Sequence, residues 1–209
     1  AGLDDRLRSF MSCTQTFAIP NKKAAYELTH IVFYLSEYGK ADPNLPVRAL
    51  RSLKYAGLIA FLDQNADLLA EICIALRFAG QRPPQQWEGW LDRQVSAYTL
   101  AKDEFYGPHD AYHEYFVVNW LMMLSGRTSL RQWVPNGGLH VSAPRGRSIL
   151  RDLSETVFEI GALDGVWPAQ RARVFASLAE QDQQLLLEAE ASCAEFPQFF
   201  RGFCRAGAA

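Results

Sequence analysis

Two pairs of ionisable residues have the spacing that lets a helix present both members on one side. Glu27 and His30 are three residues apart, and so are Asp110 and His113. Side chains at positions i and i+3 of a helix are neighbours, so a carboxylate and an imidazole can reach the same ion. Facing pairs of this kind, with bridging carboxylates, hold two metal ions in helical bundles. The four residues therefore predict a site for a divalent metal or iron.

A third segment carries carboxylates in an apolar setting. Asp67 and Glu71 are one helical turn apart in the sequence ADLLAEICIAL. A carboxylate in such a run is costly to bury alone, because loss of water disfavours its charged form. Glu71 is therefore expected either to face water or to meet a histidine, an arginine or a tyrosine. His30 and His113 also stand among apolar residues, where a histidine can equally be a hydrogen-bonded core residue.

These three segments together indicate a shared polar pocket, because each places an ionisable group in an apolar stretch. In such a pocket a histidine would be the general base or a metal ligand, and Glu71 its charge partner or a proton donor. The sequence thus predicts an enzyme that uses acid–base or metal-assisted chemistry on a small molecule or a peptide. It contains neither a P-loop nor a dinucleotide-binding, G-x-S-x-G or H-E-x-x-H motif.

The elements that must position these side chains are helices. Apolar stretches of helical period end at Gly39, Gly80 and Gly126, and a glycine just past the last apolar turn is a common helix stop. Further helices are expected at 47–62, 87–103, 149–163, 167–180 and 182–195. The predicted fold is all-α, built from stacked antiparallel helical hairpins.

The predicted organisation has three parts. Residues 1–126 form a helical-hairpin domain, and residues 149–209 form a C-terminal helical subdomain packed on it. Between them, residues 127–148 are rich in glycine, proline and serine, which predicts a long irregular loop with a short strand or hairpin.

Composition narrows the class of protein. The net charge of -2 and the pI near 6.1 argue against a nucleic-acid binder. No apolar run reaches the roughly 18 residues of a membrane-spanning helix, so no membrane partner is expected. The four cysteines form no C-x-x-C pair, which favours reduced thiols and a cytoplasmic protein.

The alternative to an enzyme is a non-catalytic helical partner, or a peptide-binding subunit of a biosynthetic complex. That hypothesis needs an exposed aromatic surface. Its candidates are segment 127–148 with Trp133, and the phenylalanines of the C-terminal segment, Phe196, Phe199, Phe200 and Phe203. The same phenylalanines are also expected to dock on the core, because so much exposed aromatic surface promotes aggregation.

Several short motifs resemble an uncharacterised all-helical family, a domain of unknown function found mainly in actinobacteria near specialised-metabolism genes. They are Thr29-His30-x-x-Phe33-Tyr34-Leu35 with Gly39, Asp67-Leu68-Leu69-Ala70-Glu71, Trp90-Leu91-x-x-Gln94, and Tyr112-His113 with Val117. The resemblance covers residues 24–125. The chain departs from the family pattern after Gln94, where Val95-Ser96-Ala97 replaces the expected Asp-Gly turn.

This resemblance implies stacked hairpins, with a partial α/α toroid as one arrangement, and a bacterial cytosolic protein of specialised metabolism. It also implies that four side chains belong together: His30, Glu71, Gln94 and His113. With Asp67, they are the predicted catalytic residues.

Overall fold

The computed structural model describes residues 2–102, 110–132, 138–144, 146–161 and 164–205. These residues form eleven helices and one two-stranded sheet, which confirms the all-α prediction. The helices are α1 (Leu3–Met11), α2 (Thr14–Phe17), α3 (Lys22–Leu35), α4 (Val47–Leu62), α5 (Ala66–Phe78), α6 (Gln85–Val95), α7 (Tyr112–Leu124), α8 (Leu150–Glu159), α9 (Trp167–Ser177), α10 (Glu180–Ser192) and α11 (Phe196–Arg205). The strands are β1 (Thr99–Lys102) and β2 (Leu139–Ser142). Among the described helices, none combines the length and the apolar character that a membrane span requires.

Helix α5 is the centre of the fold. It forms a hairpin with α4 through residues 63–65 and also packs against α3, α6 and α7. Every residue from Leu68 to Leu76 is buried, as expected for a helix that is apolar on all sides. Glu71 lies inside this stretch, so the packing of α5 takes its carboxyl group out of water.

Close approach of α4 and α6 fixes one side of the core. Gly57 of α4 lies against the indole of Trp87, and a Cβ atom there would come within 2.3 Å of the ring. The indole Nε1 of Trp87 donates a hydrogen bond of 3.0 Å to Oγ of Ser192 at the end of α10. Trp87 thus connects the N-terminal helices to the C-terminal ones.

The C-terminal phenylalanines belong to this same core. Phe196, Phe199 and Phe200 are fully buried and Phe203 nearly so, and Trp167 lies against two of them, with ring centroids 4.9 Å from Phe196 and 4.6 Å from Phe200. Burial of these rings in the core stabilises the fold. The phenylalanines are therefore not the exposed surface that the partner hypothesis needs. Trp133, the other candidate, lies outside the described residues.

A small antiparallel sheet corrects the sequence prediction in one place. The helix expected over 87–103 ends at Val95, and β1 pairs with β2 with Thr99 opposite Ser142. The strand predicted within 127–148 is present as β2. Its partner was missed because strand pairing joins residues far apart in the chain, which local periodicity does not report.

Candidate metal centre

Three helices bring the predicted polar residues to one place. Tyr26 on α3 donates a hydrogen bond of 2.7 Å to Oδ2 of Asp67 on α5. Oδ1 of the same carboxylate lies 2.8 Å from Nδ1 of His113 on α7. One turn further along α3 and α5, Thr29 and His30 face Glu71. Helices α3 and α7 therefore flank the same face of α5.

Asp67 is held from both sides. Burial, followed by the hydrogen bond to Asp67, raises the pKa of Tyr26, so the phenol stays protonated and remains a donor. The side chain of Asp67 keeps 17% of its surface exposed, and that of His113 keeps 60%. Because Nδ1 of His113 faces the carboxylate, Nε2 is the ring nitrogen that can contact a substrate or accept a proton.

Glu71 is more buried than Asp67 and the two histidines, with 3% of its side chain exposed. Its Oε2 accepts a hydrogen bond of 2.5 Å from Thr29 and lies 3.6 Å from Nε2 of His30. Burial raises the pKa of Glu71 and outweighs the opposing effects of Thr29 and His30. The Thr29 hydroxyl also lies 2.9 Å from the carbonyl oxygen of Tyr26. If Glu71 is protonated, it can donate to Thr29 while Thr29 donates to that carbonyl.

Three of these side chains have the geometry of a metal site. One potential ligand atom from each of Asp67, Glu71 and His113 lies within 4.8 Å of the other two. Two atoms bound to one ion at about 2.1 Å are at most about 4.2 Å apart, so small side-chain rotations would close the site. Two carboxylates and an imidazole suit zinc and non-haem iron.

Four polar residues of the cluster were missed by sequence reasoning. Tyr26 and Thr29 share a face of α3 with His30, and this spacing was the available indication. Tyr98 and Glu114 form a second layer, in which the Tyr98 hydroxyl donates a hydrogen bond of 2.7 Å to Oε1 of Glu114. Burial, with the charge of Asp67, raises the pKa of Glu114 against the effect of that hydrogen bond. Nothing in the sequence around Tyr98 indicated this contact.

The predicted metal pairs do not assemble as expected. Glu27 is exposed on α3, and neither it nor Asp110 belongs to the group of ligand atoms found among the described residues. Asp110 precedes α7, and its Oδ1 accepts hydrogen bonds of 3.0 Å from the backbone N–H groups of Tyr112 and Val141. The i,i+3 argument fails for Asp110 and His113 because only His113 lies on the helix.

Gln94 stands apart from the cluster. It lies half-buried near the end of α6, whereas the cluster is built by α3, α5 and α7. Its side chain makes no hydrogen bond to His30, Glu71 or His113 within the described ranges. The family resemblance implies that Gln94 belongs with these three residues, and this implication stays a prediction.

Fold and site together define a helical protein with a partly exposed histidine–carboxylate cluster. The chain belongs to the family described as Domain of unknown function (DUF6902), whose model matches residues 1–206. The resemblance to a family of unknown function is thereby confirmed, and the match extends well beyond residues 24–125. No curated protein and no solved structure matches the chain.

Proposed function

We propose that this chain is an enzyme that binds one divalent transition-metal ion through Asp67, Glu71 and His113. The observation that carries this proposal is the convergence of their ligand atoms within 4.8 Å. Three protein ligands leave coordination positions for water and substrate, which is the arrangement of catalytic rather than structural zinc sites. The exposed histidine side chains, at 56% for His30 and 60% for His113, support access from solvent.

The chemistry we propose is activation of water on the metal. A divalent ion held there would lower the pKa of a bound water molecule and would supply a nucleophile near neutral pH. His30 lies next to Glu71, which makes it the candidate to accept the released proton. Tyr26 would position Asp67, because a hydrogen bond to a ligating carboxylate fixes the orientation of that carboxylate.

Metal-free acid–base catalysis is a second candidate, and one observation favours it. The contact of 2.8 Å between Asp67 and Nδ1 of His113 is the arrangement in which a carboxylate orients a histidine base. In that case Nε2 of His113 takes a proton from the substrate and the buried Glu71 supplies one. The two candidates share residues and differ in whether an ion occupies the cluster.

The biological setting and the partner hypothesis also remain proposals. A bacterial, cytoplasmic role in specialised metabolism is supported by the family resemblance alone. A non-catalytic helical partner is supported by the exposed apolar residues of α7, such as Phe116 and Met123.

The deciding experiment is metal analysis of protein purified without a histidine tag and then incubated with Zn²⁺, Mn²⁺ or Fe²⁺. We expect about one ion per wild-type chain, as for a mononuclear site, and almost none in Asp67→Asn. Asp92→Asn is the matched control, because Asp92 of α6 forms an ion pair with Arg131 at 2.5 Å; this variant should retain the ion. A wild-type protein that retains none of the three metals would contradict the metal proposal and leave the acid–base candidate.

A further inference from the structure

An exposed aromatic ring follows each exposed histidine of the cluster by one helical turn. Tyr34 comes four residues after His30 on α3, and Phe116 comes three residues after His113 on α7. Residues with these spacings share a helix face. Tyr34 is 70% exposed and Phe116 48%. The apolar surface is thus continuous with the polar cluster on both flanking helices.

A cluster of rings covers α5 beyond the polar cluster. Phe33 of α3 and Trp120 of α7 contact each other, with ring centroids 5.5 Å apart. Both also contact Phe78, at the end of α5, with centroids 5.8 Å away. From Glu71 to Phe78 the helix rises about 10 Å. Ile74 and Ala75, which lie in this stretch, are fully buried, so the rings cover α5 beyond Glu71, and the exposed apolar surface beside the histidines is that of Tyr34 and Phe116.

We propose that the substrate is a small molecule in which an oxygen group that can bind a metal is joined to a flat, apolar body. Its oxygen group reaches the ion at Asp67, Glu71 and His113, and its body lies on the rings of Tyr34 and Phe116. This inference rests on the proposed function. A protein that covered both histidines would block the open metal positions, which favours a small occupant over a second copy of the chain.

Two hydroxamates that differ only in the ring provide the test. Zinc-loaded protein is titrated by calorimetry with benzohydroxamate and with acetohydroxamate, which chelate through the same atoms. We expect benzohydroxamate to bind at least tenfold more tightly. Tyr34→Ala and Phe116→Ala should each weaken benzohydroxamate by about threefold to tenfold, the contribution typical of an aromatic contact, and leave acetohydroxamate unchanged.

Met123→Ala is the control, because Met123 is 63% exposed and lies two turns beyond Phe116 on α7; both affinities should be unchanged. Equal binding of the two hydroxamates to zinc-loaded protein would overturn the inference while the proposed function stands. A protein that retains no zinc would overturn both. If Phe116→Ala instead converts a dimer to a monomer in sedimentation and leaves the hydroxamates unaffected, the rings belong to an interface between two copies, and the inference is wrong.

Discussion

Asp67 and His113 are 46 positions apart in the chain, yet Oδ1 of Asp67 lies 2.8 Å from Nδ1 of His113. The contact exists because α5 packs against α7, and it is reinforced from the other side by the hydroxyl of Tyr26. One carboxylate thus couples α3, α5 and α7. In both proposed mechanisms this carboxylate would orient His113.

The first prediction concerns the role of Tyr26 in positioning Asp67. Tyr26→Phe removes the hydroxyl that donates to Oδ2 of Asp67, and we expect the affinity for Zn²⁺ to fall by about tenfold or more, as for other hydrogen bonds to ligating groups. Competition with a chromogenic chelator measures this change. Tyr34→Phe, which removes an exposed hydroxyl from the same helix, should bind zinc like the wild type. An unchanged affinity in Tyr26→Phe would show that Asp67 does not depend on this hydrogen bond.

The second prediction is that Glu71→Gln stabilises the protein while it removes metal binding. Burial raises the pKa of Glu71, so the folded state favours the protonated carboxyl. The wild type therefore loses stability as the pH rises above the ordinary carboxyl range, about 4, and glutamine avoids this loss. We expect the free energy of unfolding of Glu71→Gln at pH 7 to exceed that of the wild type by about 1 kcal/mol.

Urea unfolding at several pH values checks the second prediction. The difference between Glu71→Gln and the wild type should disappear below about pH 4. Glu155→Gln, at a position with 55% side-chain exposure, should change the free energy of unfolding by less than about 0.5 kcal/mol. A Glu71→Gln variant that is less stable at pH 7 would mean that the ionised carboxylate is well compensated in the fold.

The third prediction tests the contact between α4 and α6. A Cβ atom at Gly57 would lie 2.3 Å from the ring of Trp87, so Gly57→Ala should lower the free energy of unfolding by about 1 to 3 kcal/mol through overpacking. Gly89→Ala on α6 is the control, because a Cβ atom there would lie 3.9 Å from the end of the Arg93 side chain, at an ordinary contact distance. It should raise the free energy of unfolding by about 0.5 to 1 kcal/mol, the helix preference for alanine over glycine. Chemical denaturation followed by circular dichroism measures both.

The fourth prediction is a pH dependence in the C-terminal helices. Burial raises the pKa of Glu190, but hydrogen bonds from Arg171 and Trp167 outweigh it, so the pKa is lowered. A lowered pKa in the folded state stabilises the fold above the ordinary carboxyl range, and this contribution is lost as the pH falls. Glu190→Gln should therefore be less stable than the wild type at pH 7, by about 1 kcal/mol, and should approach it below about pH 4.

Thermal unfolding at about pH 7 and about pH 3, on either side of the ordinary carboxyl range, followed by tryptophan fluorescence, measures the effect at Glu190. Glu188→Gln is the control. Glu188 lies on the same helix as Glu190, and its carboxylate accepts a hydrogen bond of 3.1 Å from the Gln184 amide. The stability of this control variant should differ little from that of the wild type at either pH. A constant difference between Glu190→Gln and the wild type at both pH values would contradict an ionic origin.

The sequence by itself determined helices α3 to α10 and most residue types of the site, but not α1, α2 or α11. Apolar period and glycine stops located α5 and α7, and Gly80 and Gly126 indeed have positive φ angles of 69° and 68°. The cost of burying a carboxylate identified Glu71, which was predicted to meet a histidine, an arginine or a tyrosine if it left water. In the structure Glu71 lies 3.6 Å from His30. These inferences succeed because helix formation and desolvation depend on neighbouring residues along the chain.

Only the tertiary structure decided which side chains meet. Spacing paired Asp110 with His113, whereas packing pairs Asp67 with His113 and leaves Asp110 to bind the backbone of β2. Local sequence patterns likewise did not indicate the pairing of β1 with β2 or the contact of Tyr98 with Glu114. A helical period shows which residues share one side of a helix, but not which other helix that side will face. That choice is made by the burial of apolar surface around α5, which brings together residues from distant parts of the chain.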